Sequence, residues 1–232
     1  MSAEFGVAND PGMAPALLLF DLDGCLVDST AAITTSIAAA FGRCGVAELD
    51  ASTLGWAVGP PLRETMEQLL VAADDDPARA PELMDAYRSH YRVEGHAVTR
   101  VIEGMPELLA AASERTRCAV VTSKPAPQAV PLLEHVGLRA YVEAVHAPAQ
   151  DHAAEPKART LARALAELAP DAEPGTSVMI GDRLHDVAAG RACRTRTIGV
   201  TWGAGDRAEL QAAGADAIVD TPAALSRLVL PG

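Results

Sequence analysis

Basic residues are in the minority in this chain of 232 residues, with 19 lysines and arginines against 31 aspartates and glutamates and a formal charge of −12. Because nucleic acid binding depends on neutralising phosphates, this balance predicts no nucleic acid partner. Cysteine is also scarce, and the four cysteines form no C-x-x-C pair, so neither a disulfide framework nor a structural zinc site is indicated. No apolar run approaches the roughly 20 residues of a membrane-spanning helix.

The amino-terminal segment lacks the features of a signal peptide. Residues 1–14 have neither a basic start nor an apolar middle, and their proline, glycine and asparagine residues predict a flexible tail. Together with the absence of a long apolar run, this predicts a cytoplasmic protein with no membrane partner.

Two kinds of pattern divide the rest of the chain. Between residues 29 and 98 apolar residues recur at helical spacing, and no strand-like run interrupts them. Elsewhere short apolar runs alternate with helical stretches; the runs lie at 16–20, 118–122, 141–147, 177–182, 197–202 and 217–220. This alternation predicts an α/β fold, a Rossmann-like open parallel sheet with helices on both faces, formed by residues 15–28 and 99–232. Residues 29–98 are predicted to be a small all-helical cap domain, inserted after the first strand as a lid.

The segment FDLDGCLVDST, residues 20–30, places three aspartates directly after a buried strand. Like charges this close raise one another's pKa unless positive charge lies among them. Ligands of open parallel sheets bind beyond the carboxyl ends of the strands, which makes other residues at strand ends candidates for the same site. These are Thr122, Ser123, Asp182 and Asp186, with Lys157 at the start of a helix. Oxygen ligands without His or Cys favour Mg²⁺.

Four of these segments, in this order, resemble the motifs of the haloacid dehalogenase superfamily of phosphohydrolases, from about residue 17 to residue 228. They are DLDGC at 21–25, VVTSKP around Thr122, EPKART around Lys157, and GDRLHD with Asp182 and Asp186. The helical insert, GPPLRETM and GVTWGAG resemble the phosphoglycolate phosphatase-like subclass, which also contains 5'-nucleotidases and pyrophosphatases. The chain departs from the family at Cys25, where threonine is usual, and matches the third motif only loosely.

The resemblance implies a role for each matching residue. Asp21 would be the nucleophile that forms an aspartyl-phosphate, and Asp23 the general acid and base. Dehalogenases and phosphonatases of the superfamily lack this second aspartate, so its presence predicts phosphoryl transfer. The phosphate oxygens would be bound by Thr122, Lys157, Ser123 and main-chain N–H groups near Gly24. The implied cofactor is Mg²⁺, held by Asp21, the main-chain carbonyl of Asp23, and Asp182, with Asp186 in support.

Arg63 is the candidate substrate-binding residue of the cap. Pro60 and Pro61 predict a rigid turn that starts a helix, with Arg63 in the first turn and able to grip a second anionic group such as a carboxylate. The alternative is a surface arginine paired with Glu64 or Glu67.

The predicted function is therefore a Mg²⁺-dependent phosphatase acting on a small phosphorylated metabolite, with phosphoglycolate as the leading substrate. The alternatives are a 5'-nucleotidase or pyrophosphatase of the same subclass, a β-phosphoglucomutase-like phosphomutase, and a non-catalytic regulatory protein. The sequence leaves both a monomer and a homodimer open.

Overall fold

The computed structural model describes residues 15–149 and 155–230. The predicted flexible tail, residues 1–14, lies outside the described residues. No helix in the described ranges is long and apolar enough to cross a membrane. The cytoplasmic location stays a prediction.

Six parallel strands form one open sheet: β1 (Leu17–Phe20), β4 (Arg117–Val121), β5 (Ala144–His146), β6 (Ser177–Gly181), β7 (Arg196–Val200) and β8 (Ala217–Val219). Their order across the sheet is β5–β4–β1–β6–β7–β8. The predicted run at 141–147 yields a shorter strand, because Arg139–Tyr141 form a 3₁₀ turn before it. The parallel α/β sheet that the sequence predicted is confirmed.

Strand β1 lies between β4 and β6, and all four of its residues are fully buried. Successive side chains of a strand point to opposite faces, so a strand buried on both faces is apolar throughout. Accordingly Leu18 and Phe20 pack in one cluster and Leu17 and Leu19 in another. The first cluster is covered by α5 (Met105–Ser113), α6 (Ala126–His135) and α10 (Pro222–Val229), and the second by α7 (Lys157–Leu168) and α8 (Leu184–Ala192). A further helix, α9 (Arg207–Ala213), lies between β7 and β8 in the chain.

The segment predicted to be the cap is helical, and we keep the name cap for residues 29–98. Its helices are α1 (Thr30–Arg43), α2 (Leu62–Ala72), α3 (Ala80–His90) and α4 (His96–Val98), with a π turn at Tyr91–Gly95 and 3₁₀ turns at Ala51–Thr53, Gly55–Ala57 and Pro77–Arg79. Their apolar side chains, among them Ile37, Phe41 and Leu70, form a cluster separate from the two on the sheet.

A two-stranded antiparallel ribbon joins the two ends of the cap, which the sequence reading did not predict. Strand β2 (Val27–Asp28) pairs with β3 (Arg100–Val101). The ribbon holds together the points where the chain leaves the first strand and returns to the sheet.

Candidate active site

Three buried carboxylates meet at the carboxyl edge of the sheet. Asp21 directly follows β1 and Asp182 directly follows the neighbouring β6, so parallel pairing places them side by side. Asp186 reaches the same point from the first turn of α8, where its Oδ2 accepts a hydrogen bond from the Arg183 N–H at 3.0 Å. Each of the three contributes an oxygen to a group whose members lie within 4.8 Å of one another.

Glycine backbone encloses the Asp182 carboxylate. Gly24 has a φ of +82°, and a Cβ there would lie 2.2 Å from Asp182 Oδ2; a Cβ at Gly203 would lie equally close. The Ala204 N–H donates to Asp182 Oδ2 at 2.7 Å, whereas Asp182 Oδ1 is buried without a hydrogen-bond partner. One oxygen of Asp182 is thus held by the main chain, and the other is left for a ligand.

The loop after β1 also presents main-chain N–H groups. The Gly24 N–H donates to the Val27 carbonyl at 2.8 Å, so Gly24 itself has no amide to offer a phosphate. The N–H groups of Leu22 and Asp23 donate to no acceptor among the described residues, and no described N–H donates to the Asp23 carbonyl. The main-chain N–H groups near Gly24 that can bind a ligand are therefore those of Leu22 and Asp23.

The chain has two lysines, Lys124 and Lys157, and both lie in this site. Lys157, on the first turn of α7, places Nζ 2.7 Å from Asp21 Oδ1 and also pairs with Asp186. Although burial alone would lower its pKa, the two carboxylates raise the pKa of Lys157 above its usual value. Lys157 is therefore charged at neutral pH and offsets part of the carboxylate excess.

Asp23 has surroundings different from those of Asp21. Its carboxylate lies outside the three-carboxylate group; it is 3.0 Å from Lys124 Nζ and accepts a hydrogen bond of 2.5 Å from Ser29 Oγ. The ammonium of Lys124 also lies 4.3 Å from the centre of the Tyr91 ring, an aromatic side chain of the cap. Lys124 is not among the site residues predicted from the sequence, although its position two residues after Thr122 was a usable signal.

Thr122 and Ser123 stand where the sequence placed them, at the end of β4. Thr122 is buried, and its Oγ1 accepts a hydrogen bond from the Lys124 N–H at 3.1 Å. Ser123 is exposed and lines the cavity beside it. Both hydroxyls therefore border the same space as the carboxylates.

A cavity of about 270 Å³ lies between the sheet edge and the cap, lined by all the predicted site residues except Gly24 and Arg63. Arg63 points to solvent, with 53% of its side chain exposed, and its Nη1 lies 3.6 Å from Glu67 Oε1. The structure thus matches the surface alternative. Its neighbour Glu64 lines the cavity instead, because adjacent helical positions point about 100° apart.

Arg183 connects the core to the cap across this cavity. Its Nη1 donates to the Val58 carbonyl of the cap at 2.7 Å, and its Nε donates to Glu209 at 2.8 Å. Gly59 has a φ of +108°, and a Cβ there would lie 2.2 Å from Arg183 Nη1. Glycine at this turn therefore permits both the backbone conformation and the approach of the guanidinium.

Burial and mutual repulsion make the carboxylate group electrostatically unfavourable by itself. Burial, only partly offset by Lys157, raises the pKa of Asp21 to about 8, with Asp182 and Asp186 adding to the effect. Burial and the charge of Asp186 raise the pKa of Asp182 to about 6. A divalent cation would lower both pKa values. With an all-oxygen donor set, the unpartnered Asp182 Oδ1 and the glycine cradle, the residues fit a hard cation such as Mg²⁺.

The family model of haloacid dehalogenase-like hydrolases matches residues 18–200, which include every site residue predicted from the sequence. The chain is a haloacid dehalogenase-like hydrolase. It is 36% identical to the tyrosine-protein kinase PtkA of Mycobacterium tuberculosis over 85% of its length, and it spans 66%, just under two thirds, of that relative. It is 32% identical to a phosphoglycolate phosphatase of Agrobacterium fabrum, covering 93% of this chain and 95% of that one.

The fold of this haloacid dehalogenase-like hydrolase is also that of solved structures. The crystal structure of a predicted phosphatase from Clostridium acetobutylicum superimposes with a TM-score of 0.83 at 30% identity, covering 94% of this chain and 99% of the other. The match extends over the sheet and the helical insert together.

Cys25 occupies the position where the family usually has threonine. Its side chain is fully buried, and its Sγ lies 3.8 Å from the Ile180 carbonyl, to which it donates a weak hydrogen bond. Burial, reinforced by the charge of Asp21, raises the pKa of the Cys25 thiol well above its usual value. The thiol is consequently protonated and shielded, a packing residue rather than a reactive one.

Proposed function

We propose that this haloacid dehalogenase-like hydrolase is a Mg²⁺-dependent phosphatase that hydrolyses a small phosphate monoester through an aspartyl-phosphate intermediate. The observation that carries this proposal is the pairing of two aspartates in different surroundings. Asp21 belongs to the buried carboxylate group and contacts Lys157, whereas Asp23, two residues on, lies outside that group and contacts Lys124 and Ser29. Environments that separate two carboxylates in this way favour one as nucleophile and the other as acid and base.

Asp21, Asp182 and the main-chain carbonyl of Asp23 would hold Mg²⁺, with Asp186 in support. When bound, the ion neutralises the carboxylates and the dianionic phosphate, whose mutual repulsion otherwise opposes reaction.

The chain's own residues supply the remaining chemistry. A carboxylate oxygen of Asp21 forms a bond to phosphorus as the bond to the ester oxygen breaks, and Asp23 gives its proton to the departing oxygen. Asp23 then takes a proton from the water that attacks phosphorus and releases phosphate from Asp21. Throughout, Thr122, Lys157 and the N–H groups of Leu22 and Asp23 bind the other phosphate oxygens.

The size of the cavity and the relatives favour a small substrate. About 270 Å³ is near the lower limit of ligand pockets, which run from about 300 to 1,000 Å³ for drug-sized molecules. A relative that matches almost the whole chain is named phosphoglycolate phosphatase. Phosphoglycolate therefore remains the leading candidate, ahead of nucleoside monophosphates, pyrophosphate and sugar phosphates.

The test is phosphate release, with Mg²⁺, from 2-phosphoglycolate, a nucleoside 5'-monophosphate, pyrophosphate and a glucose phosphate. We expect wild type to hydrolyse at least one efficiently and Asp21→Asn to fall to background. Asp28→Asn is the matched control, because Asp28 lies only seven residues after Asp21 but is exposed, and its Oδ1 accepts a hydrogen bond from the Thr30 N–H at 3.0 Å. Activity in Asp21→Asn equal to that of wild type would contradict the proposed nucleophile.

The relative named a tyrosine-protein kinase makes transfer to a protein hydroxyl the second candidate function. The products separate the candidates. Free phosphate supports hydrolysis, an isomerised sugar phosphate supports a mutase, and phosphotyrosine on an added protein after incubation with ATP supports a kinase.

A further inference from the structure

The cations that line the cavity differ in how they are paired. Lys157 contacts Asp21 at 2.7 Å, and Lys124 contacts Asp23 at 3.0 Å. Arg183 is similarly held by Glu209. Each of these three cations thus pairs with a carboxylate whose side chain is at least three quarters buried.

Arg88, on α3 of the cap, has no such buried carboxylate partner. Its Nη1 donates to Asp85 Oδ1 at 3.1 Å, but 77% of the Asp85 side chain is exposed to water. The Arg88 side chain is only 16% exposed, and its Nε is buried without a hydrogen-bond partner. A buried donor left unpaired is costly, more so when the group is charged.

The unpaired side of Arg88 is the one that recognises oxyanions. With Nη1 occupied by Asp85, Nε and Nη2 form no hydrogen bond with any described residue. This edge of a guanidinium binds a carboxylate or phosphate through two parallel hydrogen bonds. Arg88 therefore presents an unused anion-binding edge in a residue that lines the cavity.

The rest of the cap's contribution to the lining is mostly apolar. Ile33, Val58, Met84 and Tyr87 are buried there, and among the described lining residues the cap adds two charged side chains, Glu64 and Arg88. Glu64 is exposed, so water screens its charge. A substrate group that reaches past the phosphate site thus meets apolar surface and one shielded cation.

We propose that Arg88 binds a second anionic group of the substrate, a carboxylate or a phosphate carried on the part that departs with the ester oxygen. This inference rests on the proposed phosphatase function and narrows it to small phosphate monoesters that bear a second negative charge. The cap residue that binds the second anionic group is then Arg88 and not Arg63, the residue predicted from the sequence.

The experiment compares three substrates built on the same two-carbon skeleton. They are 2-phosphoglycolate with a carboxylate, ethylene glycol bisphosphate with a second phosphate, and 2-hydroxyethyl phosphate, which is neutral at that end. We expect wild type to prefer one of the anionic substrates. Arg88→Met should lower kcat/KM for that substrate by about 10- to 100-fold, as expected for a lost charge-assisted hydrogen bond. It should leave kcat/KM for 2-hydroxyethyl phosphate nearly unchanged, and Arg88→Lys should restore part of the loss.

Arg92→Met is the control, since Arg92 is an exposed arginine one turn further along the cap. Preference for 2-phosphoglycolate identifies a carboxylate as the second group, and preference for the bisphosphate identifies a phosphate. An equal loss on all three substrates, or no preference for an anion in wild type, overturns the inference and leaves the phosphatase standing. Failure of wild type to hydrolyse any of the three, or any member of the wider panel, overturns both. If circular dichroism shows that neither Arg88 variant is folded, the preference of wild type for an anionic substrate over 2-hydroxyethyl phosphate decides.

Discussion

Replacing Lys157 by methionine tests how the carboxylate group is held together. The Lys157 side chain is 7% exposed and pairs with Asp21, at 2.7 Å, and with Asp186. Its removal leaves both carboxylates buried without their cation. Breaking a buried ion pair from one side costs about 3–5 kcal/mol. A chain of this size loses about 2–4 °C per kcal/mol. We therefore expect Lys157→Met to lower Tm by roughly 6–20 °C in the presence of EDTA.

The same variant should respond more strongly to Mg²⁺. Lys157 and a divalent ion compete for the charge of the same carboxylates, so without the ammonium the ion gains affinity and raises Tm by more than in wild type. The pH dependence has a defined sign. Because the pKa of Asp21 in the folded state, about 8, lies above its ordinary value of 3.8, its ionisation destabilises the fold as pH rises between these values. The difference in Tm between wild type and Lys157→Met in EDTA should therefore become smaller toward pH 5.

The assay is thermal unfolding followed by circular dichroism, with and without Mg²⁺. Arg159 is an exposed residue on the same helix, so the Tm of Arg159→Met should match that of wild type in both conditions. The reasoning is refuted if Lys157→Met is as stable as wild type in EDTA. It is also refuted if the variant gains less from Mg²⁺ than wild type does.

Three further predictions concern the surroundings of the site. Gly59→Ala places a side chain at a φ of +108°, so we expect a loss of about 1–3 kcal/mol in urea unfolding; an unchanged midpoint would argue against a strained turn beside Arg183. Asp182→Asn should abolish most of the stabilisation by Mg²⁺, which for wild type at 100-fold excess over Kd adds about 2.7 kcal/mol to the free energy of unfolding and is seen as a rise in Tm; a full rise in Tm in the variant would remove Asp182 from the ion's ligands. Cys25→Ser should leave the fast phase of thiol titration in the native protein unchanged, because the buried Cys25 thiol does not contribute to it; a smaller fast phase would show that Cys25 is reactive.

Convergence of the carboxylates was predictable because it follows from sheet topology. Asp21 and Asp182 directly follow apolar runs, and parallel strands end at one edge. Asp182 and Asp186 do not share a helix, since α8 begins at Leu184 and Asp182 precedes it. What brings Asp186 to the site is its capping hydrogen bond with the Arg183 N–H.

The cap was less predictable, because helix phase and helix packing choose which side chains face inward. The turn before α2 was expected from Pro60 and Pro61, but the sequence does not fix the phase of the helix: Arg63 faces solvent, and the next residue, Glu64, lines the cavity. Nothing in the sequence marks Arg88 apart from other arginines, since its burial depends on how α3 packs against α1. Short pairings such as β2 with β3 carry too few residues for a periodic signal.

The placement of both lysines in the site has a consequence for chemical labelling. Apart from the α-amino group, Lys124 and Lys157 are the chain's only primary amines, and each is nearly buried and held by carboxylates. Amine-directed acylating reagents, which need an uncharged and accessible amine, should therefore leave the side chains of the folded protein unmodified. Acylation of either lysine, followed by mass spectrometry, would then report directly on opening of the cavity.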